Sequence, residues 1–187
     1  MATAISICSN ALLMLGDDPI ASFSENTKRA RLCANLWPDC RDMIIRLGAW
    51  PVARKQVTLA AEVAEPAFDW GYAFPLPSDW RKTLQVGGKR QRVDFEQIGR
   101  KLYSDAATLP LVYVAKLDDP TQWDALMVDT ATLEMCARLA YPITQSSTLM
   151  QEKRQEADRA LRVARSVAGQ DNPPEDWSDS PFVDVRG

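Results

Sequence analysis

Three pairs of carboxylates are the first residues whose types and spacing could do chemistry: Asp17-Asp18, Asp39 with Asp42, and Asp118-Asp119. Two acids whose pKa values are pushed apart can act as general acid and as base or nucleophile in glycoside hydrolysis. Each pair also has a plainer use. Asp17-Asp18-Pro19 and Asp118-Asp119-Pro120 are turn and helix-start sequences, where aspartate caps backbone N–H groups. Asp39 and Asp42 fall on the exposed side of a helical pattern. The chain has 187 residues and not one histidine. That excludes Ser-His-Asp and Cys-His nucleophiles, His-ligated zinc or iron, and a histidine pH switch. No serine stands in a Ser-x-x-Lys motif, and Val86-Gly87-Gly88-Lys89 lacks the spacing of a phosphate loop. The cysteines, Cys8, Cys33, Cys40 and Cys136, include no C-x-x-C pair. Cys33 and Cys40 lie two helical turns apart, about 10.5 Å, too far for a disulfide. They read as small core residues in a reduced compartment. This inventory points away from an enzyme and predicts no metal and no cofactor.

The charged residues say more. The chain carries a net charge of −3, but unevenly. Residues 1–117 hold 15 Lys/Arg against 12 Asp/Glu, and residues 118–187 hold 7 against 13. Arg81, Lys82, Lys89, Arg90 and Arg92 form a run of positives with no acid between Trp80 and Val93. On a hairpin tip such a run could meet nucleic acid or an acidic protein surface. The acidic balance of the whole chain favours the protein. At the other end, residues 170–187 hold five acids and one arginine together with Trp177 and Phe182. Aromatics anchor interfaces by filling partner pockets, so this acidic stretch reads as an interaction arm.

Four helical patterns and a β-rich middle must position these groups. Residues 2–15 read as a helix with Ile5, Cys8, Leu12 and Leu15 on one face and Gly16 as its terminator. A second runs from Glu25 to Leu47 behind a Ser24 cap, with Pro38 placed to kink it and Gly48 to stop it. Between Trp50 and Leu117 helical periodicity vanishes. Strands are expected at Val52–Leu59, Thr83–Val86, Arg92–Phe95, Lys101–Tyr103 and Leu109–Lys116, with the second and third paired across Gly87-Gly88. Asp119-Pro120 then opens a third helix, with Trp123, Leu126, Met127, Thr130, Leu133, Cys136, Ala137 and Ala140 as its buried face and Tyr141-Pro142 as its end. A fourth starts at a Thr148–Gln151 capping box and closes at Gly169. The N-terminal residues have the pattern of neither a signal peptide nor a membrane span, which predicts a soluble protein made in the cytoplasm. The expected fold is α+β. Residues 1–49 and 118–169 form a four-helix bundle from the N- and C-terminal helical pairs. Residues 50–117 form an inserted small antiparallel β unit, and 170–187 the arm.

The same layout resembles the tail tubular protein A family, the head–tail adaptors of short-tailed bacteriophages. The likeness runs from about Ala4 to Ala168. It is carried by Ala4-Ile5, Asn10-Ala11-Leu12 and Leu15-Gly16 with Pro19-Ile20, and by Ile44-Ile45-Arg46-Leu47-Gly48-Ala49-Trp50. Trp70-Gly71-Tyr72 through Ser78-Asp79-Trp80 follows, then Gly99 to Tyr103 and Leu111 to Val114. The densest match is Asp118 to Trp123 leading to Leu139-Ala140-Tyr141-Pro142-Ile143-Thr144. The resemblance implies a structural ring in the virion neck, of twelve copies, between the portal protein and a tail nozzle similar to tail tubular protein B. DNA would pass through the lumen. Arg81, Lys82, Lys89, Arg90 and Arg92 would then face the nozzle or a neighbouring copy, and Trp177 and Phe182 would dock on the portal. Two alternatives stay open on the residues: a nucleic-acid-binding factor using the basic hairpin, and a carboxylate-based tail hydrolase.

Overall fold

A computed structural model describes residues 1–48, 50–88 and 93–170. The chain is mixed, with two helices, then six short strands, then two helices. They are α1 (Ala4–Leu13), α2 (Lys28–Leu47), β1 (Arg54–Leu59), β2 (Tyr72–Pro75), β3 (Trp80–Val86), β4 (Glu96–Ile98), β5 (Lys101–Ser104), β6 (Leu109–Ala115), α3 (Ala125–Thr144) and α4 (Ser147–Gln170). Short 3-10 turns at Pro51–Ala53 and Pro120–Gln122 join the helices to the sheets. Among the described residues no helix is long and apolar enough to cross a membrane.

Local chemistry sets the helix ends. Thr3 and Ser6 form a reciprocal capping box that starts α1. Gly16 stops it at φ +78°. There the N–H of Gly16 reaches the Leu13 carbonyl at 3.0 Å and that of Asp17 reaches Leu12 at 3.1 Å, the paired bonds of a Schellman ending. Helix α2 begins three residues later than expected. Thr27, not Ser24, accepts from the Ala30 N–H at 3.2 Å, while Glu25 folds back on the N–H groups of Ala21 and Ser22. Pro38 lies inside α2. Asp119 caps only the 3-10 turn, and Asp124 starts α3 by accepting from Met127 at 2.7 Å. Tyr141-Pro142 does not end α3, which runs one half-turn further to a left-handed Gln145. The Ser146 hydroxyl accepts from Leu149, which places the start of α4 ahead of Thr148, and α4 passes through Gly169 to Gln170.

Helix α3 is the central element and touches each of the other helices. From Thr130 to Ala140 almost every position is buried. A helix apolar all round belongs in an interior, and Met127, Ala131, Met135, Cys136 and Leu139 join Ile7, Cys8, Leu12, Cys33, Cys40 and Ile44 in one core. Trp37 of α2 stacks on Trp123 with ring centroids 5.8 Å apart. Glu134 is the charged exception, 4% exposed in the same helix. Arg154 of α4 donates from Nη1 to both its oxygens at 2.8 and 2.7 Å, and Arg138 donates from Nε at 2.8 Å.

The strands form two antiparallel three-stranded sheets, ordered β1-β6-β3 and β2-β5-β4. Among the described residues the pairing expected across Gly87-Gly88 is not seen, and Arg92, the first residue of the expected partner strand, lies outside them. β3 pairs with β6 instead, Val86 opposite Leu111, and Val93–Phe95 is not a strand. Strand β2, unexpected from the sequence, pairs with β5, and β4 and β5 turn at Gly99-Arg100. Phe74 and Leu102 of one sheet share a second core with Leu59, Leu109, Leu111 and Tyr113 of the other. β6 reads Leu-Pro-Leu-Val-Tyr-Val-Ala and serves both cores. Leu109, Leu111, Tyr113 and Ala115 enter the sheet core, while Val114 on the opposite face enters the helical one.

The link from α2 to the sheets turns on Gly48 and Trp50. Trp50 is 1% exposed, and its indole Nε1 donates to the Ile44 carbonyl at 2.8 Å, one of the last acceptors of α2. The ring lies against Gly48, so a methyl group at 48 would overlap the indole. Gly48→Ala should therefore cost about 1–3 kcal/mol through overpacking, although the backbone φ of −80° suits alanine. Urea denaturation followed by tryptophan fluorescence would show it. Unchanged stability would mean that Trp50 moves aside freely.

Candidate interaction surface

Strand β3 carries the first two residues of the basic run, and irregular pairing with β6 around Trp80–Lys82 separates them. Arg81 turns toward α2. Its Nη2 lies 3.5 Å from Asp42 and its Nη1 donates to the Trp80 carbonyl at 3.1 Å. Arg41 bridges Asp42 at 2.8 Å and Asp118 at 2.6 Å, and Lys116 also holds Asp118 at 2.6 Å. Five charges thus clamp α2 to β3 and to the segment after β6, which gives Arg81 a structural use within the chain. Lys82 is exposed and has no ion pair among the described residues. Lys89, Arg90 and Arg92 lie outside the described residues, as do Trp177 and Phe182 and the rest of the arm beyond Gln170. Of the seven expected contact residues only Arg81 and Lys82 are among the described ones, and the side chain of Arg81 is engaged within the chain while that of Lys82 is exposed.

Five of the six paired carboxylates have local partners, and Asp39 has none among the described residues. Asp17 and Asp18 both meet Arg29, at 3.4 and 3.2 Å. Asp42 and Asp118 belong to the clamp, and hydrogen bonds from the Thr121 side chain and N–H hold Asp119 below the usual carboxylate range. All four cysteines are buried and free. Burial pushes the thiols of Cys40 up to about 12 and Cys136 up to about 11. Cys8 is raised by its hydrogen bond to Cys33 and by burial. Cys8, Cys40 and Cys136 therefore stay protonated at neutral pH, whereas the hydrogen bond from Cys8 lowers Cys33; it is the thiolate that reacts. Among the described residues no three His, Cys, Asp or Glu side chains form a group able to hold a metal. A carboxylate of another kind is Asp79, unremarked in the sequence. Burial would raise its pKa, but hydrogen bonds from Lys55 Nζ (2.7 Å) and the Tyr113 hydroxyl (3.0 Å) win and hold it below the usual range. Burial and the same bond push Tyr113 to about 12.

Two open depressions stand out among the described residues. Over the open face of the β1-β6-β3 sheet lies a shallow cavity of about 400 Å³ lined by Gln56, Thr58, Gln85 and Val112. Its amides and hydroxyl could meet another polar surface. Between α3 and α4 runs a more apolar groove of about 520 Å³, with Tyr141, Pro142 and Met150 on it and Arg138 and Arg154 beside them. No sequence pattern marks this groove, because it takes residues from two helices whose facing is set only by packing.

Two measurements check this account. Arg81→Ala should lower stability by about 1 kcal/mol, the scale of a partly exposed ion pair within a network, while Lys82→Ala should stay within about 0.5 kcal/mol. Equal losses would dissolve the distinction. The Asp79 contribution is full above the unfolded-state pKa, about 3.9, and is lost as pH falls through the lower folded-state value. Asp79→Asn should accordingly flatten the decline in urea stability below about pH 4. An acid limb identical to that of the parent protein would refute this. Compared with known proteins, the chain matches no family model and no curated protein.

Proposed function

We propose that the chain is a structural head–tail adaptor of a bacteriophage, a ring subunit between portal and tail nozzle through which DNA passes. The observation that carries this reading is the ordered set of family-like motifs from Ala4 to Ala168. Their position supports it. Leu15-Gly16 forms the end of α1, Leu47-Gly48 with Trp50 forms the end of α2, and Asp118 to Trp123 forms the entry to α3. The α-α, β, α-α order fits a four-helix bundle closed around α3 with the two sheets as an insertion. The charge distribution suits a conduit, since a strongly basic lumen would hold DNA by its phosphates and slow its passage.

The test is the native mass of the full chain alone and mixed with a portal ring. A small species that becomes a stoichiometric ring on the portal is the expected result. Removing residues 170–187 should weaken that assembly. A chain that never joins the portal at any concentration would overturn the reading. Salt-dependent DNA binding that drops when Lys89, Arg90 and Arg92 become alanine would instead favour a nucleic-acid-binding factor.

A further inference from the structure

Two of the four buried thiols meet across a helix interface. Cys8 stands on α1 and Cys33 on α2, both 0% exposed and both in the helical core. The Cys8 thiol donates a hydrogen bond to the Cys33 sulfur. The two helices are pinned beside this pair. Arg29, one turn before Cys33, bridges Asp17 and Asp18 just past the end of α1, and the hydroxyl of Ser9, next to Cys8, donates to the Ile20 carbonyl at 2.9 Å. The other two cysteines are engaged elsewhere. The Cys40 thiol donates to the Ala131 carbonyl at 3.8 Å, and Cys136 lies toward Lys153 and Glu156 of α4. Cys33 and Cys40 are separated by two turns of one helix, beyond the reach of a disulfide. Cys8 with Cys33 is thus the pair that the fold joins across two elements.

We propose that Cys8 and Cys33 form a reversible disulfide on exposure to a hydroperoxide, a redox lock that ties α1 to α2. Cys33 gives up its proton and its thiolate attacks the peroxide. The O–O bond breaks, Cys33 becomes a sulfenic acid, and the displaced oxygen takes the proton and leaves as an alcohol, or as water from hydrogen peroxide. The Cys8 sulfur then attacks the Cys33 sulfur. Hydroxide departs with the Cys8 proton as water, and the S–S bond is made. The two thiols lose two electrons and two protons, and the hydroperoxide gains both. The hydrogen bond assigns the roles. Cys8, the donor, keeps its proton and resolves; Cys33, the acceptor, holds its proton less tightly and is the nucleophile. Packing gates the reaction, since neither sulfur is open to solvent. Helix α1 is ten residues long, below the about 12–15 residues at which an isolated helix holds by itself, and it stays in place by burying Ile7, Cys8, Ala11 and Leu12. Lifting α1 admits the peroxide to Cys33, and reclosing returns Cys8 to the sulfenic acid. The disulfide then opposes further lifting. The inference does not depend on the adaptor reading.

Peptide mapping of the full-length protein tests it. The native protein is treated with hydrogen peroxide, unfolded in urea with an alkylating agent present, and digested without reductant. The expected product is a peptide pair linked through Cys8 and Cys33, with Cys40 and Cys136 alkylated, and dithiothreitol should remove the link. The urea midpoint of the oxidised protein should rise by about 1 M, the scale of a disulfide's contribution. Cys8→Ala leaves Cys33 without its resolving partner, so dimedone should then label Cys33 as a sulfenic acid. The mapping itself needs no substitution and stands even if that variant does not fold. Four alkylated cysteines after peroxide would overturn the proposal. So would Cys33 recovered as a sulfinic or sulfonic acid beside an alkylated Cys8, a link through Cys40 or Cys136, or a Cys8–Cys33 link that leaves the urea midpoint where it was.

Discussion

Glu134 sits in the most enclosed helix of the molecule, where an ionised carboxylate is tolerable only if it is paired and hydrogen-bonded. Three short bonds from Arg138 and Arg154 meet that requirement. The arrangement has consequences beyond the pair. Arg138 comes from the same helix, but Arg154 comes from α4, a helix of mostly polar residues whose Ala157 and Ala164 are its deepest points. Small residues let α4 approach closely but bury little area each. The buried carboxylate then fixes which face of α4 turns inward and at what height along α3. Arg154 lies half exposed at the surface, while Arg138 is mostly covered and reaches Met43 of α2 at 3.3 Å.

A second constraint is the double duty of β6. A central strand between two edge strands must satisfy the alternation of its own side chains, and here each face belongs to a different core. Helices and sheets are therefore not independent units joined by linkers. The clamp of Arg41, Asp42, Arg81, Lys116 and Asp118 lies at the same junction. It surrounds the place where Val114 reaches into the helical core.

The sequence made the helices legible because their burial is local and periodic. Leu12, Trp37, Met127 and Cys136 announce themselves by spacing alone. The boundaries were harder wherever several residues could cap the same helix. Ser24 lost to Thr27, and Asp119 to Asp124, because a cap must stand three residues from a free N–H in the folded backbone. Long-range pairing was not legible at all. Two glycines after Val86 suggested a hairpin, yet β3 gains more by lying against β6, whose alternating apolar residues complete the sheet core. Arg81 illustrates the same limit. A basic run reads as one patch, whereas the fold splits it, directing Arg81 to Asp42 and leaving Lys82 in solvent. Glu134 with Arg138 carries a readable four-residue spacing, but the decisive partner, Arg154, stands sixteen residues beyond Arg138 across a helix reversal.

The sheets also bear on how another chain could meet this one. Among the described residues each has three strands and so two edges, and an open edge is a template for pairing with another chain. The four edges are poor templates. β4 is three residues long, β2 ends in Pro75, β3 is broken by two register shifts, and β1 opens with Arg54 and Lys55. A new strand would find few consecutive backbone groups to bond. Among the described residues, a partner chain would therefore find side-chain surfaces rather than a strand edge to add to.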